Sequence, residues 1–262
     1  MSLPRDTFCE VSHVRILLPL RIKGYKSSHS ILPSTLLNEL ISYWKLDEES
    51  GIRYDSVGDK HLSDNATVGF AAGKNNNAAL FVRAANEYLS RNNVQLTPND
   101  GSFTVSLWEY FADAATNRAG GLFVLTADSS LATIVVSIYN ASDILSNYVT
   151  LVSDGIGTYV IANYIRAGLV AGWHHIITWY DASDRKVRIS IDGSTISGGE
   201  ISAALAGSTR YTVAQPLWIG RHPALAFKEG RIDEVGVWSR ALTDDERLLL
   251  YKAGAGRFYP FS

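Results

Sequence analysis

From Leu40 onward the chain runs in short apolar or alternating stretches, separated by clusters of Gly, Asn, Asp and Ser. That texture predicts strands joined by turns. The stretches are residues 40–46, 79–82, 87–89, 102–111, 122–126, 133–139, 148–153, 158–164, 173–180, 186–191, 217–220 and 231–238. In residues 102–111, Phe103, Val105 and Leu107 alternate with Thr104, Ser106 and Trp108, so one face is apolar. Residues 173–180 and 186–191 read as a hairpin across residues 181–185. Asp192-Gly193 follows as a turn signal. Strands at roughly 10–15 residue spacing, without intervening helical patterns, predict an antiparallel sandwich rather than a parallel sheet with crossovers. There is no internal repeat of propeller or solenoid type.

One helix is predicted, near the end. Thr243-Asp-Asp-Glu246 has the capping-box pattern, and Asp244 and Asp245 place negative charge in the first turn, where the helix dipole favours it. Leu248, Leu249 and Tyr251 supply an apolar stripe, and Gly254 is the expected stop. Residues 1–37 differ in texture. They show no sustained period and contain Pro4, Pro19, Pro33 and a polar stretch over residues 23–30, with one short strand expected at residues 14–18. We read residues 1–37 as an N-terminal arm or anchor that orders on a partner, or equally as a disordered terminal tail or a piece of upstream sequence, and residues 38–262 as the folded domain.

Composition narrows the classes. Hydrophobic residues make up 46% of the 262, enough for a large core. The formal charge of -2 gives no basic face for nucleic acid. With a single cysteine, Cys9, an intrachain disulfide is impossible. No run approaches a membrane span. The apolar stretch over residues 14–22 is broken by Arg15, Pro19 and Arg21, so no cleavable signal peptide is expected. Thirteen Tyr and six Trp are available for strands and for ligand-stacking surfaces.

Four stretches resemble the laminin-G-like, concanavalin A-like lectin/glucanase jelly-roll superfamily, over about residues 40–258. They are Tyr43-Trp44-Lys45-Leu46-Asp47-Glu48 with Asp55-Ser56-Val57-Gly58; Gly101-Ser102-Phe103-Thr104-Val105-Ser106-Leu107-Trp108; Gly172-Trp173-His174-His175-Ile176 with Ile191-Asp192-Gly193; and Ile219-Gly220-Arg221 with Gly230-Arg231-Ile232-Asp233-Glu234-Val235, Trp238 and Arg240-Ala241-Leu242-Thr243. The resemblance implies an all-β, antiparallel two-sheet jelly-roll β-sandwich with one short C-terminal helix. Within it, Trp173, His175, Ile177 and Trp179 share a strand face that is expected to fill the space between the sheets. His175 is expected to be a buried structural histidine, with His174 pointing the other way.

The candidate chemistry is binding. Some members of the superfamily are glucanases that carry Glu-x-Asp-x-x-Glu along one strand, a paired-carboxylate arrangement that this sequence lacks. No catalytic residue is expected. The resemblance also implies one structural Ca²⁺, for which Asp233 with Asp47 or Asp55 are the candidate ligands. A glycan site is expected at Tyr139, Asn140, Tyr148, Tyr159, Asn163 and Tyr164, where tyrosines able to stack on a sugar alternate with amides.

The leading expectation is a non-catalytic adhesion protein, a phage virion surface or decoration component present in several copies. It would dock through residues 1–37 and display a glycan-binding domain. A secreted or surface-anchored bacterial carbohydrate-binding protein is the alternative, and a glycoside hydrolase the disfavoured third.

Overall fold

Residues 32–95, 101–112, 120–126, 134–139, 147–153, 159–165, 169–194, 214–222 and 227–262 are described by a computed structural model. The expected strand at residues 14–18 lies outside them. The strands are β1 (Leu40–Trp44), β2 (Ser63–Asn65), β3 (Gly69–Ala72), β4 (Asn77–Phe81), β5 (Tyr88–Val94), β6 (Phe103–Phe111), β7 (Gly120–Leu125), β8 (Ile134–Tyr139), β9 (Asn147–Ser153), β10 (Tyr159–Ile165), β11 (Gly172–Asp181), β12 (Lys186–Ile191), β13 (Gln215–Ile219) and β14 (Gly230–Trp238), followed by helix α1 (Asp244–Tyr251).

They form two antiparallel seven-stranded sheets. The first has the order β12-β11-β6-β14-β4-β3, with β1 also on β14; the second is β10-β9-β8-β7-β13-β5-β2. This is the predicted jelly-roll sandwich. Strand alternation fills the space between the sheets. Phe103, Val105 and Leu107 of β6 and Ile176 and Tyr180 of β11 meet Leu122, Ile134, Val136, Val160, Leu217 and Ile219 of the second sheet in one cluster. In β14 the inward residues are Ile232, Val235 and Val237. Their uneven spacing reflects an irregular register between Asp233 and Gly236, where Glu234 has φ +51°. A bulge of this kind resets which side chains face the core.

The outer face of the first sheet is also covered. Ile177, Trp179, Trp238, Tyr43 and Leu40 pack there with Leu36, Leu242, Leu250 and Phe261. The helix that seats this layer is capped as predicted. Thr243 Oγ1 accepts from Glu246 N at 3.3 Å, and Thr243 N donates back to Glu246 Oε2 at 2.9 Å. Arg240 grips the same carboxylate through both guanidinium nitrogens, at 2.6 and 2.8 Å. Burial works to raise the Glu246 carboxyl, but Arg240 and the Thr243 amide hold it at about 2.

Two expectations need correction. The face shared by Trp173, His175, Ile177 and Trp179 points away from the second sheet, toward the C-terminal layer; it is His174 that points inward, beside Phe111. The domain also starts earlier than residue 38. Pro33–Leu37 forms a 3-10 turn whose Leu36 is fully buried. The Trp238 indole donates to Leu36 O at 2.7 Å, and Arg240 donates to Thr35 O at 3.0 Å. Among the described residues no helix is long and apolar enough to cross a membrane.

Candidate functional site

The six residues expected to bind glycan lie on the β8-β9-β10 ribbon or beside it. Asn140 is outside the described residues. By register Tyr148 stands opposite Tyr164, Tyr139 opposite Asn147, and Tyr159 opposite Ser153 at the far end. Tyr159 and Tyr164 are five positions apart on β10, about 17 Å of extended chain. Tyr164 packs against the inter-sheet core, and Asn163 is half-buried. Along β10, Tyr159 and Tyr164 therefore do not share one point.

The three aspartates expected to bind metal separate into two places. Asp55 accepts from the backbone amides of Tyr43, Val57 and Lys60 at 3.0, 3.0 and 3.2 Å. The bond to the residue two positions on is an Asx-turn. Against its burial, the Tyr43, Val57 and Gly58 amides hold the carboxyl below its usual value. Asp233 and Asp47 instead hold the loop over residues 73–77 from two sides. Asp233 Oδ2 accepts from Lys74 N and Asn75 N at 2.7 and 3.1 Å, and Asp47 Oδ1 accepts from Asn77 N at 3.2 Å. Asp233 is fully buried, and its Oδ1 has no partner. Burial and the neighbouring Glu234 carboxylate push it up to about 8; burial pushes Glu234 up to about 7. Among the described residues no group of three or more His, Cys, Asp or Glu is placed to hold a metal ion.

Other buried charges have structural partners. Glu109 and Lys228, both fully buried, form an ion pair at 2.8 Å. His175 is buried as expected, with Nε2 2.8 Å from Ser106 Oγ and its ring beside both Trp108 and Tyr251. Burial lowers its pKa to about 4, so it is neutral.

The arrangement best suited to a ligand lies on the outer face of the second sheet and was not anticipated. Leu217, Ile219 and Leu89 point into the core, so their neighbours point out. Trp218, Ser90 and Ser63 stand in one cross-strand row, and Tyr88 and Asn65 in the next. Arg221, paired with Phe227 in an isolated bridge, brings its guanidinium carbon 4.5 Å from the Trp218 ring centroid, 4.9 Å from Tyr88 and 5.7 Å from Phe227. All four residues are half-buried. Asn65 Nδ2 donates to Ser90 Oγ at 2.9 Å and lies 3.3 Å from Tyr88 O. The result is an aromatic corner edged by an amide and two serines, the mix of flat apolar surface and directed polar groups that binds sugars. A groove of about 290 Å³ between β11, β12 and α1 also contains an aromatic, Trp179. There the ring is buried under Arg247, 3.7 Å away, and is closed to a ligand.

The profile of the concanavalin A-like lectin/glucanases superfamily matches residues 83–246. No curated protein matches the chain. Among solved structures, the binding domain of Paraclostridial Mosquitocidal Protein 1 superposes with a TM-score of 0.63 at 14% identity, over 84% of this chain and 53% of that one. The binding domain of botulinum neurotoxin serotype G gives 0.61 at 14%, over 82% and 50%. This chain thus spans about half the length of either toxin binding domain. Domain 4 of AbnA, a GH43 extracellular arabinanase from Geobacillus stearothermophilus, solved in complex with arabinotriose, gives 0.53 at 17%, over 84% and 98%. At these identities the likeness concerns the fold.

Proposed function

Because the chain belongs to the concanavalin A-like lectin/glucanase superfamily, we propose that it is a non-catalytic protein that binds carbohydrate through its sandwich. The observation that carries this reading is the Trp218–Tyr88–Phe227 corner with its Asn65, Ser63 and Ser90 edge. Two of the similar folds are toxin binding domains, and a third, domain 4 of AbnA, was solved in complex with arabinotriose. Absence of catalysis is supported by the occupations of the buried carboxylates: Glu109 pairs with Lys228, Glu246 with Arg240, and Asp55 with amides. A glycan array with the whole chain tests the reading, and trimming of a bound polysaccharide would revive the glycosidase alternative.

The finer proposal is a phage virion surface or decoration protein, present in several copies and anchored through residues 1–37. Co-sedimentation with particles supports it; protein that stays free of particles counts against it. A secreted or surface-anchored bacterial carbohydrate-binding protein is the alternative, and recovery from a bacterial culture supernatant or envelope would favour it. A structural Ca²⁺ belongs to the same proposal. Asp233, whose buried Oδ1 has no partner, supports it; Asp47, across the loop, already accepts from Asn77 N and Asn76 Nδ2. Asp55 does not support it, because its oxygens are committed to amide donors. Melting with calcium and with chelator tests this; identical midpoints remove the ion.

A further inference from the structure

Three arginines stack on aromatic rings among the described residues, and two of them have evident partners. Arg247 lies over Trp179 while it pairs with Asp244 and donates to Leu242 O. Arg231 lies 3.6 Å from the Tyr110 ring centroid while Nη1 donates to Ala72 O at 2.7 Å. Arg221 is the exception. Three rings surround it, yet its guanidinium has no hydrogen bond or ion pair among the described residues. The carboxylates at this end of the sheet are engaged elsewhere: Glu87 accepts from Val82 N at 2.7 Å, and Glu229 from Arg83 N at 2.9 Å. Rings can satisfy the faces of a guanidinium, but its N–H edge still needs acceptors, and a planar carboxylate matches that edge with two parallel bonds. Arg221 is half-buried, and its nitrogens are not among the sealed, partnerless atoms. A ligand can therefore reach them.

Resting on the carbohydrate-binding reading above, we infer that this corner selects acidic glycans, with Arg221 receiving the carboxylate of a uronic or other carboxylated sugar. Trp218 and Tyr88 shield that contact from water. Asn65, Ser63 and Ser90 face the ring hydroxyls along the neighbouring strands. Shielding strengthens the charged contact, since partial desolvation lowers the local dielectric.

The test uses the whole chain and three probes: an oligogalacturonide, its methyl ester, which is the same sugar without the charge, and a sulfated oligosaccharide of equal length. The expected result is binding of the oligogalacturonide at least about tenfold tighter than of the ester, as loss of a charge-assisted contact implies. Arg221→Gln should abolish that preference, and Arg221→Lys, which keeps the charge but not the planar fork, should restore it only in part. A melt of each variant reports folding, and Ser63→Ala serves as a second, surface variant that weakens binding of acid and ester alike. Equal affinity for acid and ester overturns the inference while the carbohydrate reading stands. Preference for the sulfated probe over the carboxylate also overturns it. Binding of no glycan on the array removes both.

Discussion

Two adjacent histidines have pKa values shifted in opposite directions, because alternation sends them to opposite faces of β11. His174 faces inward, with Nδ1 2.6 Å from Asp192 Oδ2 and Nε2 2.8 Å from Val170 O. Both neighbours can accept, an arrangement that favours the doubly protonated ring. Burial works against that charge, but Asp192 and the Val170 carbonyl outweigh it and raise the pKa. A raised folded-state pKa means that the stabilisation is complete below the unfolded value of about 6.5 and is lost as pH rises through the folded one. Melting midpoints should therefore fall more between pH 6 and pH 9 for the native chain than for His174→Gln; parallel curves would contradict the assignment. The Glu109–Lys228 pair gives a second residue-scale expectation. Lys228→Met leaves a buried carboxylate uncompensated and should destabilise by about 3–5 kcal/mol in urea unfolding. Glu109→Leu added to it should recover most of that loss. Neither role is visible in sequence: His174 and Asp192 form a pair only because the β11–β12 hairpin register brings them together, and Glu109 and Lys228 meet across 119 positions.

At the scale of elements, local signals were legible and distant ones were not. The α1 cap could be read because all its partners lie within residues 240–246. Thr243→Ala should cost about 1 kcal/mol in urea unfolding. Glu246→Ala should cost more, since it also strips Arg240 of its carboxylate; equal effects would show that the Arg240 contact contributes nothing. The apolar faces of β6 and β11 were legible from alternation, but alternation does not say what covers each face. Trp179 was expected between the sheets and instead lies under Leu242, Leu250 and Phe261, which arrive from the chain's end. β2 and β3 were missed because they are three and four residues long, half-exposed, and poor in β-branched side chains. The aromatic corner was missed for a related reason. Tyr88 and Trp218 are 130 positions apart and become neighbours only through the β5–β13 register. The signal that could have found it is Trp218 between the inward residues Leu217 and Ile219, with Arg221 just beyond.

For the whole molecule, the two sheets and the C-terminal layer leave a sandwich in which Glu109, Glu246 and Asp55 are tied to structural partners, Asp233 and Glu234 each keep one partnerless oxygen, and the second sheet carries an aromatic, amide-edged outer corner. That distribution is the basis for proposing binding without turnover. It was only partly legible beforehand. Motif order pointed to the superfamily and the absent paired-carboxylate motif argued against hydrolysis, but the location of the ligand surface depended on pairings between distant strands. The most direct measurement is a glycan array probed with the whole chain, with bound oligosaccharides recovered and weighed by mass spectrometry. The account predicts retention of a defined subset, weakened by Trp218→Ala, with every recovered glycan at its original mass. Retention of none, or recovery of shortened glycans, would contradict it.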